Sequence, residues 1–148
     1  MDPQNLARLF ARDISKLRDE INAYASDAAL WQPSAGITNT GGTLSLHLCG
    51  NLRHFIGHVL GGTGYVRDRD KEFSTRDVTK KELTAIVDQT AAEVQSALSG
   101  FSENRMQEQF PKDIGGTVST TEYALLHLFG HFSYHLGQIN YHRRMTSK

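Results

Sequence analysis

A single cysteine, Cys49, excludes an intramolecular disulfide and any paired-cysteine zinc motif. Proline is scarce, at three in 148 residues, and there is no internal repeat or low-complexity tract. No charge of one sign prevails either: sixteen basic side chains balance sixteen acidic ones, so no strong field draws the chain to nucleic acid or an anionic membrane. Nowhere do about 18 apolar residues run consecutively, and the opening MDPQNLARLF has neither the basic start nor the apolar core of a secretory signal. These absences give the expectation of a cytoplasmic protein without nucleic-acid or membrane partners. What is present, 39% hydrophobic and 22% charged residues, matches one globular domain over residues 1–148.

Hydrophobic periodicity predicts an all-α fold of four long helices. Asp2 is placed to cap the first, with Pro3 at its first position, where a missing N–H does no harm. Leu6, Phe10, Ile14, Leu17, Ile21, Tyr24 and Ala28 recur every three or four residues, which predicts one core-facing stripe on a helix ending near Leu30. After a break at Pro33, Gly36, Gly41 and Gly42, a second segment runs to Leu60 and stops at Gly61-Gly62. Thr79 and Glu82 form a capping-box signature ahead of Leu83, Val87, Thr90, Val94 and Leu98. Ser119 and Glu122 repeat that signature before a last helix running from Thr120 to about Met145. Four such helices make a bundle. Two inter-helix connections, Gly61 to Val78 with its RDRDKEF run and Ser102 to Val118, are longer than a compact bundle needs; either borders a site or is a solvated crossover.

Chemistry is concentrated in histidine. All seven fall in two windows, LHLCGNLRHFIGH and HLFGHFSYHLGQINYH. At about 100° per residue, His127, His131, His135 and His142 share one stripe of the fourth helix with Gln138 among them. His47, His54 and His58 share a face of the second, with Asn51 beside them. An H-x-x-x-H pair sets two imidazoles one turn apart, and a third from a facing helix completes a three-histidine set with coordination positions left open. Open positions are what a catalytic site requires, because water or substrate must reach the ion. The chain has no H-E-x-x-H and no Glu-x-x-His pair of the ferritin-like kind. All-nitrogen ligation suits a divalent transition metal: Zn or Ni first, with Fe, Mn and Cu open. Cys49 lies two residues from His47, about 200° around a helix, which speaks against a Cys-His pair and for a small core residue. Trp31 and Tyr65 are expected in packing, with a pocket mouth as their other role.

The run HFSYHLGQI resembles the H-x-x-x-H-x-G-Q-[IL] signature of the DinB/YfiT-like family of metal-binding four-helix bundles, and LSLHLCGN resembles that family's second-helix segment. The resemblance spans most of the chain and implies a DinB/YfiT-like four-helix bundle with His47, His131 and His135 as metal ligands. Gly137 and Gln138 match the motif too, Gly137 either there or as a helix-packing glycine, Gln138 either in the core or orienting a ligand. His127 matches a further histidine seen in part of the family. His54, His58 and His142 lie outside the signature; they are ligand-supporting donors, pocket walls or surface residues, with surface expected for His142.

Relatives of known activity resemble metal-dependent transferases that conjugate a low-molecular-weight thiol to an electrophile, or isomerases that use such a thiol. The resemblance therefore implies a small-molecule substrate, a thiol cofactor and a homodimer. Arg53, Arg67, Arg69, Arg143 and Arg144 are candidates, by type alone, for holding a thiol cofactor's carboxylates, although Arg143 and Arg144 also complement a helix C-terminus. Three other readings stand beside the thiol transferase: a metal-dependent hydrolase, a non-catalytic, metal-binding dimeric stress protein, and a bis-histidine haem bundle.

Overall fold

The computed structural model describes residues 1–147. Helix α1 spans Pro3–Ala23, a 3₁₀ turn follows at Ala28–Trp31, and α2 spans Gly41–Leu52 before widening into a π-helix over Arg53–Leu60. The short α3 (Arg69–Ser74) precedes α4 (Lys80–Leu98), the short α5 (Glu103–Gln107) and the long α6 (Thr121–Thr146). Around the bundle the long helices pack in the order α1, α4, α2, α6. Side-chain pairings give their directions. Asp13 meets Ser133 and Glu20 meets Asn140, so α1 and α6 run parallel. Gln4 reaches the Leu98 carbonyl while Arg18 meets Asp88, which makes α1 and α4 antiparallel, and Gly57 lies against Glu93 while Gly61 lies against Ala97, which makes the α2 segment and α4 parallel. Because α2 and α4 run the same way, the chain must return the full length of α2 between them. The first long connection makes that return, and α3 is part of it.

The α1 stripe is buried from Leu6 to Tyr24, and Leu83, Val87, Thr90, Val94 and Leu98 of α4 face the same core. Asp2 caps α1 by accepting from the Gln4 N–H at 2.9 Å. Thr79 and Glu82 form the reciprocal capping box.

Four local expectations differ. Helix α1 ends at Ala23 rather than near Leu30, because Tyr24 turns to extended backbone and its carbonyl accepts from the Lys80 ammonium at 2.7 Å. Asp27 likewise accepts from the Lys80 N–H, so the start of α4 takes the polar groups that would have continued α1. Ala28 is consequently exposed, and Ala29 takes the buried place. Helix α6 is capped by Thr120, not Ser119: an isolated bridge from Gln109 to Thr120 holds Ser119 extended, and Glu122 turns to the N-terminal ammonium at 3.2 Å. Finally, the π-widening from Arg53 breaks the 100° spacing that placed His54 and His58 on the face of His47. No helix among the described residues is long and apolar enough to cross a membrane.

Candidate metal centre

Helices α2 and α6 are antiparallel neighbours, and their contact sets His47 against the H-x-x-x-H pair. One ring nitrogen from each of His47, His131 and His135 lies within 4.8 Å of the others, and the Nε2 atoms of His47 and His131 are 3.1 Å apart. His47 is buried and the other two half-buried, so the cluster sits at the rim of the bundle with one side toward solvent. The donor atoms of a tetrahedral site with metal–nitrogen bonds near 2.1 Å lie roughly 3.4 Å apart, so this set is of the size one transition ion bridges.

The protonation pattern fits as well. His47 Nδ1–H donates to Glu72 Oε1 at 3.0 Å, which leaves Nε2 as a lone pair facing the cluster. Glu72 is itself buried and gripped by Arg67 through two hydrogen bonds, Nε to Oε2 at 2.8 Å and Nη2 to Oε1 at 2.9 Å. Burial opposes ionisation of Glu72, but the hydrogen bonds from His47 and Arg67 outweigh it and hold the carboxyl below its usual range. His135 Nδ1–H donates to Gln138 Oε1 at 2.6 Å, again freeing Nε2. His131 Nδ1 is buried without a partner. Its Nε2 either donates to His47 or joins it in facing one ion. Burial first, then the His135 and His47 rings, push His131 down to about 4. Burial also lowers His135. Near neutrality these two rings are therefore uncharged, as metal ligation requires.

Glu72 is the residue that sequence reasoning missed. It lies 25 positions from His47, in a charged run that reads as solvated, and only the return of the chain past α2 brings it in. One signal was available. Gly50 sits inside a helix, where glycine is unfavourable, and a Cβ there would come within 2.0 Å of a Glu72 carboxylate oxygen. Gly50 is thus required for that approach.

The other histidines do not join the cluster. His127 is exposed beside Gly115 and Tyr123. His54 is half-buried against Phe55, its Nδ1 without a partner, and His58 is exposed with Nδ1 bonded to the Thr63 carbonyl. Asn51, one turn beyond His47, is buried with Oδ1 unpartnered. His142, expected at the surface, is only 1% exposed. Its Nδ1 accepts from Tyr24 OH at 2.7 Å and from the Gly41 N–H at 3.1 Å, and Nε2–H donates to the Gln32 carbonyl at 2.9 Å. Every polar position of that ring is used. Gly137 has no packing role, since a Cβ there would meet nothing within 4 Å. Gln138 is exposed, not in the core, and serves His135.

Of the candidate arginines, Arg53 pairs with Glu93, Arg67 with Glu72 and Arg143 with Glu20, while Arg69 and Arg144 lie over the rings of Phe73 and Tyr141. Trp31 is buried and donates to the Val78 carbonyl; Tyr65 lies beneath the Arg53 guanidinium. Burial pushes the Cys49 thiol up to about 11, which makes it an inert core group.

Comparison with solved structures finds a DinB-like protein from Bacillus cereus ATCC 10987, 15% identical, with a TM-score of 0.76 over 96% of this chain and 91% of that one. At that identity the likeness establishes the fold: an all-α, DinB-like bundle. No curated protein matches the sequence. A family described as "Protein of unknown function (DUF1572)" matches residues 5–148. By that match the chain belongs to this family, and its fold is the DinB-like bundle.

Proposed function

We propose that the chain is a metal-dependent enzyme of small-molecule chemistry, in which His47, His131 and His135 hold one divalent transition metal, Zn or Ni first, and a low-molecular-weight thiol is transferred to an electrophile. The observation that carries this reading is the convergence of three imidazoles whose outward nitrogens are held by Glu72 and Gln138 on two of them. Three protein ligands leave room for one more. A divalent ion bound there would supply Lewis acidity, which keeps a coordinated thiol deprotonated at neutral pH.

The residues divide the remaining work. Glu72, ionised and held by Arg67, fixes the tautomer and orientation of His47. Gln138 does the same for His135 without charge. Phe73, its ring 4.9 Å from that of His47, supplies an apolar wall on that side.

One observation favours a second reading, a hydrolase. Arg67 is committed to Glu72 and Arg53 to Glu93, so neither is free for the carboxylates of a thiol cofactor, and water needs no such cation. A homodimer belongs to the proposal as well, and sedimentation of the purified protein tests it.

The deciding experiment is metal analysis of untagged protein, followed by replacement with Co(II) and titration with cysteine and glutathione. The transferase reading expects about one equivalent of metal and a sulfur-to-cobalt charge-transfer band that is absent in His131→Ala. Cobalt uptake with no band for either thiol would shift the assignment to the hydrolase. A bound ion whose spectrum answers neither to the thiols nor to added azide would have no open position and would make the protein a metal-binding protein without catalysis.

A further inference from the structure

Beside His135 a groove of about 660 Å³ opens between α6 and the segment ahead of α2. This volume falls within the range of small-molecule sites. His135 and Gln138 line one wall, so the groove is continuous with the histidine cluster. Its apolar surface comes from Ile37, Leu44, Tyr134 and Tyr141, and no Lys, Arg, Asp or Glu side chain lines it. The two tyrosines are 67% and 64% exposed and stand two turns apart on α6, flanking Gly137 and Gln138. Gly137 lies on the groove surface where a side chain would meet only open space, so the missing Cβ keeps the groove clear rather than easing a helix contact. Gln138 gives its carbonyl oxygen to His135, and among the described residues its amide N–H groups have no partner. They remain a donor pair next to the cluster. The facing wall is preformed: Ser34 and Ile37 close a tight turn, and His142 anchors both flanks of that segment through Gln32 and Gly41.

From these features the geometry points to the groove as the subsite for an uncharged, aromatic-sized part of the substrate, stacked between Tyr134 and Tyr141 with an acceptor atom on the Gln138 amide. The inference rests on the metal-dependent reading only for what lies at its end, where the reactive group would meet the histidine cluster. It assigns the groove to the electrophile and not to a thiol cofactor, because no cation lines it and the neighbouring Arg144 is held over the Tyr141 ring, so carboxylates entering it would lose water without a facing cation. The lack of any charged lining selects a neutral ligand over an anionic or cationic one of the same shape.

The test separates the groove from the metal. Metal-free protein is examined by saturation-transfer NMR with benzamide and benzoate, and the same pair is repeated on Gly137→Trp, which fills the groove, and on Tyr134→Ala. Transfer to benzamide is expected to exceed transfer to benzoate and to fall about tenfold in Gly137→Trp, in line with what a blocked apolar contact costs a ring. Tyr134→Ala guards against misfolding of the tryptophan variant and is expected to show a smaller loss in the same direction. Equal transfer in the native and both variant proteins, or benzoate bound as well as benzamide, would overturn the inference. So would conversion of a native dimer to monomer by Gly137→Trp with benzamide transfer unchanged, which would make the groove a contact between copies. Benzamide transfer without any metal uptake would leave the subsite standing and remove only the metal-dependent reading.

Discussion

Helix α6 contributes to two histidine centres, one at His142 and one at His131 and His135 about two to three turns earlier, and they are built on opposite principles. At His142 every ring nitrogen has a protein partner: a phenol and a backbone N–H on one side, a carbonyl on the other. At His131 one nitrogen has no partner and the other faces a second imidazole nitrogen at 3.1 Å. The first cluster ties α1, α2 and the intervening segment together. The second gathers lone pairs that the protein does not satisfy. His131 and His142 share one helical stripe, so what separates a strut from a candidate ligand is the hydrogen-bond inventory.

Substitutions can break this comparison. The largest effect is expected for His47→Ala and His131→Ala: metal affinity by isothermal titration should fall by more than about a hundredfold, because removing a ligand exceeds the outer-partner effect. The fold should persist in both. His142→Ala should reverse the pattern, leaving metal stoichiometry unchanged while urea denaturation shows a loss of about 3 kcal/mol from two stranded backbone groups, a Tyr24 hydroxyl left with only the Ile139 carbonyl, and a cavity. If His142→Ala also abolished metal binding, the two clusters would not be separable. Smaller still is Glu72→Ala, expected to weaken metal binding by about ten- to a hundredfold. Gly50→Ala should act in the same direction by pushing the carboxylate away, and the pair should be less than additive in a double-mutant cycle.

The smallest effect sharpens the comparison through pH. His131 titrates near 4 in the folded chain and near 6.5 when unfolded, so the unfolded state binds the extra proton in between. Its contribution to metal-free stability is full above about 6.5 and is lost as pH falls through 4. Thermal melts of metal-free protein should therefore show a midpoint that drops over this window, with a shallower slope in His131→Gln.

Much of the fold could be read from periodicity and caps. The buried stripe of α1 and the capping box of α4 depend on neighbours within one or two turns, and both are present. The end of α1 was not legible, because Lys80, far along the chain, takes the carbonyl of Tyr24. The same holds at the histidine cluster. His131 and His135 share a helix turn that spacing reveals, and the family signature brought His47 to them. Glu72 arrives through a parallel crossover whose only local trace is Gly50 inside a helix. His142 looked like a surface residue because its three partners are scattered from Tyr24 to Gly41.

The parallel pairing of α1 with α6 also bears on how the chain matures as it leaves the ribosome. Phe10 packs edge-on against Phe129, and Asp13 waits for Ser133, so one flank of the first helix stays uncovered until the last helix has been made. Two of the three clustered histidines are on that last helix. Metal capture by the full set would therefore wait until α6 has been made, and a nascent chain stalled before α6 would expose an aggregation-prone apolar flank while offering an ion only His47.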